Sequence, residues 1–176
     1  MIRNIILFFF LFPAAGALAQ FAPESKLVIE ELGWMDRNYL ERQVDRIDQL
    51  ARTRLGTQLN QNLKDLDLLQ QIVDRELIDA KDTEGLQALG AVMAQLMLLD
   101  VPSLEWKIYI DEVGRSRALC AKNTKECLFP MTMLSRRMEV GLKPDVRKVY
   151  EEGLALLDDH VTHIPYGGGP ERRLQR

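Results

Sequence analysis

The chain has 176 residues, 47% of them hydrophobic, and 23 Lys and Arg against 26 Asp and Glu leave a formal charge of −3. That length suits one domain whose core folds without a metal or a disulfide framework. The slightly acidic balance argues against bulk attraction to nucleic acid or anionic lipid.

The N-terminus reads as an address. Arg3 supplies a positive start, residues 5–12 are unbroken apolar, Pro13 interrupts them, and Ala17-Leu18-Ala19 places small residues where a signal peptidase reads. Residues 1–19 are therefore predicted to be a signal peptide cut before Gln20. The apolar stretch is too short for a membrane anchor, which needs about 20 residues. Without Arg3 the remaining chain carries −4.

Residues 22–32 are expected to form one short helix entered at Pro23-Glu24. Asp36 then reads as the N-cap of a long helix ending at Gly56, with Leu40, Val44, Ile47, Ala51 and Leu55 along its apolar stripe. Leu63, Leu66, Leu69, Ile72 and Val73 predict a second helix over 63–78, on which Gln70 and Asp74 sit four apart as a tie to a neighbouring element. Asp82 or Thr83 caps a third, over 84–99, with Leu86, Leu89, Leu96 and Met97 inward. Gly90 falls in its middle at a cost of about 1 kcal/mol relative to Ala, which calls for close approach of another element. Met93, Met97, Met131, Met133 and Met138 read as core packing, since no His or Cys interleaves with them to bind copper.

After Pro102 the period changes from helical to alternating. Trp106, Ile108 and Ile110 share one face of a strand; Lys107, Tyr109 and Asp111 take the other. Gly114 suits the turn that follows. Residues 117–121 and 126–129 read as two more strands, Pro130 opens a short helix over 131–140, and Gly141 stops it. A last helix starts at Pro144, its inner stripe being Val146, Val149, Tyr150, Gly153, Leu154 and Leu157. The expected fold is α+β: N-terminal helices, a three-stranded antiparallel meander, then two C-terminal helices packed on the sheet. The expected organisation is a signal peptide (1–19), an N-terminal helical extension (20–62), an α+β domain (63–160) and a flexible tail (161–176).

Two cysteines, Cys120 and Cys127, flank Asn123-Thr124. A tight turn there sets them opposite each other across an antiparallel pair, within disulfide reach. Closing so short a loop stabilises by roughly 2.5 kcal/mol on the chain-entropy model.

Catalytic chemistry is sparse. His160 and His163, with Asp158 and Asp159, offer too few ligands for a zinc site, and neither a metal nor another cofactor is expected. Glu105, Asp111 and Glu112 cluster on or beside the first strand of the meander, so a small envelope hydrolase using Asp111 with Glu105 or Glu112 is the alternative reading. Charge is unevenly placed. Arg115, Arg117, Lys122, Lys125, Arg136 and Arg137 face a single acid, Glu126, between 115 and 137. Either these six are dispersed around the fold or pair with acids from the N-terminal helices, or they form a docking patch for an acidic protein or a polyanionic envelope component.

Three stretches taken together carry a resemblance: Asp65-Leu-Asp-Leu-Leu-Gln70-Gln-Ile-Val-Asp74, then Leu86-Gln-Ala-Leu-Gly90, then Trp106 through Asp111-Glu-Val-Gly114 to Arg136-Arg137-Met-Glu139-Val-Gly141. Their order and spacing resemble an uncharacterised bacterial domain family, a domain of unknown function, over residues 63–157. The resemblance implies a bacterial protein and, with the leader, the periplasm. It implies no activity, cofactor or catalytic residue. Val113 stands where the family usually has an aromatic. The resulting expectation is a non-enzymatic periplasmic interaction protein of inhibitor, immunity or envelope-accessory type. A dimer paired through the edge of the meander is a weaker third expectation.

Overall fold

A computed structural model describes residues 27–161. The predicted leader with its expected cleavage site, His163 and the glycine-rich tail lie outside the described residues. In chain order the elements are β1 (Val28–Glu31), α1 (Trp34–Leu55), α2 (Asp65–Asp74), α3 (Thr83–Asp100), β2 (Leu104–Ile110), β3 (Arg115–Ala121), β4 (Cys127–Leu128), α4 (Pro130–Met138) and α5 (Val146–Ala155), followed by one 3-10 turn, Asp158–His160. The fold is α+β, with an antiparallel sheet in the order β1-β2-β3-β4.

The sheet has four strands where the sequence suggested three. Part of the expected first helix is instead β1, which pairs Val28 with Ile110 and Glu31 with Lys107. Val28 and Ile29 are β-branched, and an unpaired neighbour on β2 offers them a ladder; four residues are too few to sustain a helix there. Helix α1 begins at Trp34 after Gly33, without a side-chain cap. Asp36 therefore lies inside the first turn and faces inward. Helix α2 ends at Asp74 rather than 78, because Glu76 turns left-handed (φ 50°); Ile78 is buried beyond that turn. The last strand is shorter than expected, two residues rather than four.

Helix α3 is the centre. Its buried residues run round the whole cylinder, from Leu86 and Ala88 through Leu89, Ala91, Val92 and Met93 to Leu96 and Met97. A helix apolar on every side must be enclosed on every side, and α1, α4, α5 and β2 all pack against it. Asp82 caps it, accepting from the Gly85 N–H at 2.9 Å. One face of β2, led by Leu104 and Ile108, closes one side; Leu40, Ile47 and Ala51 of α1 join the same interior. Gly90 does what its position demanded. A Cβ there would lie 2.6 Å from Met131 Cα and closer still to the Pro130 carbonyl, so the absence of a side chain lets the start of α4 rest on α3.

Helix α5 buries Val146, Val149, Tyr150, Gly153 and Leu154, and Leu157 continues the expected stripe just past its end. Asp145 caps it through the Lys148 N–H. Gln70 ties α2 to that end: its Nε2 donates to Asp74 Oδ1 (2.8 Å) and to the Pro144 carbonyl (3.3 Å), and its Oε1 accepts from the Val146 N–H (2.8 Å).

Replacing Gly90 with Ala is expected to lower stability by about 2 kcal/mol, since overpacking outweighs the better helix propensity. Urea unfolding of the two proteins side by side checks this; a gain in midpoint would contradict the close approach.

Candidate functional site

The six basic residues divide into two groups. Arg115 and Arg117 stand two apart on β3, on the sheet face shared with Ile110 and Ile108, their cross-strand partners. That face looks toward α1. Asp36, only 6% exposed, meets them there. Arg115 donates to both carboxylate oxygens (Nη1 to Oδ1, 3.1 Å; Nη2 to Oδ2, 2.8 Å), and Arg117 reaches Oδ1 through Nε (3.0 Å) and Nη2 (2.9 Å). The Arg117 guanidinium also lies 4.0 Å from the centre of the Tyr39 ring. Hydrogen bonding from Arg115 is the largest influence on Asp36; with the charges of both arginines it outweighs burial and holds the carboxyl below its ordinary 3.8. Arg115 is raised in return. The cluster clamps α1 to the sheet. Its signal was present in the sequence: Asp36, Leu40, Gln43, Ile47 and Ala51 follow one helical phase, and the structure buries all five.

The other four carry no such partner. Among the described residues no acidic side chain pairs with Lys122, Lys125, Arg136 or Arg137. Lys122 Nζ donates to the Pro102 carbonyl (2.8 Å), and Arg137 donates to the Met133 carbonyl one turn back on α4. Arg136 and Arg137 occupy the last turn of α4, where positive charge suits the helix C-terminus. Both line a cleft of about 680 Å³ between β4, α4 and α5. Its apolar lining includes Leu128, Phe129, Met133, Val149 and Leu156, the last 73% exposed, and Glu152 adds a single acid. Glu152 has Lys148 3.9 Å away.

The cleft is anchored by the disulfide. Cys120 and Cys127 are bonded, with Cα atoms 4.0 Å apart and facing each other in the β3–β4 register. Asn123 supplies the left-handed turn residue (φ 63°), and Thr124 closes it by donating its N–H to the Ala121 carbonyl. Cys127 lines the cleft. Lys122 and Lys125 each stand two residues from a bonded cysteine, which ties their hairpin to the same edge.

Two of the three carboxylates of the hydrolase reading, Asp111 and Glu105, are engaged in local structure. Asp111 Oδ1 accepts from the Val113 and Gly114 N–H groups, building the β2–β3 turn. Glu105 lies 3.0 Å from Lys107 Nζ, which also binds Glu31, and these hydrogen bonds raise Lys107. Glu112 is exposed on the turn beside Val113, which is 90% exposed. Tyr109 stacks edge-on against Phe129 at 5.1 Å. His160 is exposed at the end of the 3-10 turn. No group of three or more His, Cys, Asp or Glu among the described residues is placed to hold a metal ion.

Residues 65–150 match the model of an uncharacterised family, "Domain of unknown function (DUF3806)". No curated protein sequence matches the chain. A crystal structure of a protein from Bacteroides thetaiotaomicron VPI-5482 is similar, with a TM-score of 0.67 at 17% identity over 76% of this chain. At that identity the likeness shows the fold alone. This chain spans 48% of that protein's length. The shared fold therefore reaches past the family segment, which is about half of the chain.

Asp36→Asn is expected to cost about 2 kcal/mol at neutral pH, because it leaves two guanidinium groups facing a neutral amide. The sign with pH follows from a carboxyl held low. Its contribution is complete above the unfolded value of about 3.8 and disappears as pH falls through the lower folded-state value. Stability curves of the two proteins should therefore converge below that value, and parallel curves down to pH 2 would contradict the clamp.

Proposed function

We propose that this chain, whose residues 65–150 are a domain of unknown function, is a non-enzymatic protein-binding module exported to the bacterial periplasm. The observation that carries the reading is the division of its basic residues. Arg115 and Arg117 are engaged by Asp36, whereas Arg136 and Arg137 line an apolar cleft and, like Lys122 and Lys125 on the adjoining hairpin, have no acidic partner among the described residues. An acidic segment carrying one or two apolar side chains matches that surface. The apolar groups would fill the space between Phe129, Met133 and Leu156, and its carboxylates would meet the cations at the rim. Rim charges of this kind act mainly on encounter rate and partner choice.

Export rests on the leader in residues 1–19, and a disulfide suits an oxidising compartment. Among the described residues no helix is long and apolar enough to cross a membrane. A protein of this size with a basic cleft fits an inhibitor, an immunity protein or an envelope accessory.

The test compares wild type with Lys122→Glu/Lys125→Glu/Arg136→Glu/Arg137→Glu, both immobilised and exposed to periplasmic extract. The same acidic protein should be retained by wild type, released by salt, and absent from the variant, while the melting temperatures agree within about 2 °C, as surface changes allow. Equal retention would remove the cleft from the reading. Retention of a polyanionic glycan or lipid in place of a protein would replace the partner class.

A further inference from the structure

We propose that the open edge of β3 accepts an extended acidic segment of a partner protein as an additional strand, on a surface separate from the cleft. The ladder itself carries the argument. At the β2–β3 turn Asp111 and Gly114 exchange both backbone hydrogen bonds (3.1 and 3.2 Å). Antiparallel pairs alternate between bonded and non-bonded, so Tyr109/Ser116, Lys107/Ala118 and Glu105/Cys120 are the bonded pairs of this register. Arg115, Arg117, Leu119 and Ala121 consequently direct their N–H and C=O away from β2. Two other bonds fix the same phase. Lys122 N–H donates to the Ser103 carbonyl on the β2 side (2.9 Å), and Ala121 N–H donates to the Glu126 carbonyl on the opposite side (3.0 Å).

Strand β4 uses only part of that outward row. It pairs with Leu119 and Cys120 and stops. The ladder position opposite Arg117 falls to Pro130, which has no N–H, begins α4, and is drawn onto α3 at Gly90. The outward N–H and C=O of Arg115 and Arg117 thus have no backbone partner among the described residues. Arg115 and Ser116 are exposed and Arg117 half-buried, so the row is within reach of another chain. Such an edge is the template used in strand addition, where main-chain hydrogen bonds supply affinity and alternate side chains supply choice.

Charge selects the occupant. Two guanidinium groups share one carboxylate, Asp36, and Glu30 belongs to β1, two strands away at the far edge of the sheet. An added strand with acidic side chains on the α1 face would meet the surplus. The opposite edge of the sheet, β1, carries Glu30 and Glu31 and repels the same segment. Pairing of two β3 edges would set arginine against arginine, which is destabilising, so a second copy fits less well than an acidic partner.

The test uses the disulfide-bonded chain without its leader and a capped eight-residue peptide of alternating Glu and Val. Amide exchange followed by NMR is expected to show Ser116 and Ala118 protected, and Arg115 and Arg117 fast, in the free protein. Saturating peptide should slow Arg117 by at least about tenfold, as a new ladder bond requires. A peptide N-methylated on the residues whose N–H faces β3 should bind at least about tenfold more weakly than one methylated on the alternate set, the charge being identical. The cleft variant with four Glu substitutions should bind the peptide as wild type does, so failure of the cleft leaves this result readable. The proposal is overturned if the peptide does not bind, if both methylated peptides bind alike, if the Arg117 amide is protected in the free protein, or if self-association seen by sedimentation velocity displaces the peptide.

Discussion

Enclosure of α3 is the constraint on which the other elements depend. A helix with Leu86, Leu89, Val92, Met93, Leu96 and Met97 spread round its axis has no face it can leave in water. Burying such side chains contributes roughly 1.5–3 kcal/mol each, and that contribution is realised only when α1, α4, α5 and the sheet are all in place. Gly90 is where the enclosure is tightest. By admitting the Pro130 backbone it fixes where α4 starts, and that start ends β4 after two residues. A single small residue on the central helix thus shapes the sheet edge on the far side of α4.

The same packing decides which charges are structural. Once α1 lies across α3 and the sheet, Asp36 has little access to water and must find cations; β3 supplies two of them at the right height. A carboxylate buried without partners would be costly, whereas one with bidentate and single guanidinium contacts is satisfied. The charge excess between 115 and 137 is therefore not one feature. Its first part is a clamp; its second part has no acidic partner among the described residues, with Lys122 and Arg137 donating to backbone carbonyls and Arg136 and Arg137 lining the cleft of β4, α4 and α5.

What could be read from the sequence follows the range of the interaction concerned. The stripe of α5, the turn at Asn123 and the facing cysteines are set by neighbours a few residues apart, and the structure matches them. The close approach at Gly90 was legible because a mid-helix glycine costs stability unless something replaces its missing side chain. Strand β1 was not legible: four residues acquire strand character only when the edge of β2, some eighty residues later, lies beside them. Asp36 was misread for a related reason. An acid near a helix start suggests a cap when only local pattern is considered, and its true phase with Leu40, Gln43 and Ile47 matters only once β3 is opposite.

The boundaries of the matched family segment carry a physical consequence. Residues 65–150 begin after α1 and end inside α5. Cut there, the chain would lose Ile47, Ala51, Leu154 and Leu157 from the interior and leave Ile108 without the cover of Leu40. Asp36 would go as well, leaving Arg115 and Arg117 unpaired on a bare strand. The pairing of β1 with β2 and the clamp at Asp36 therefore belong to the folding unit, which begins no later than Val28.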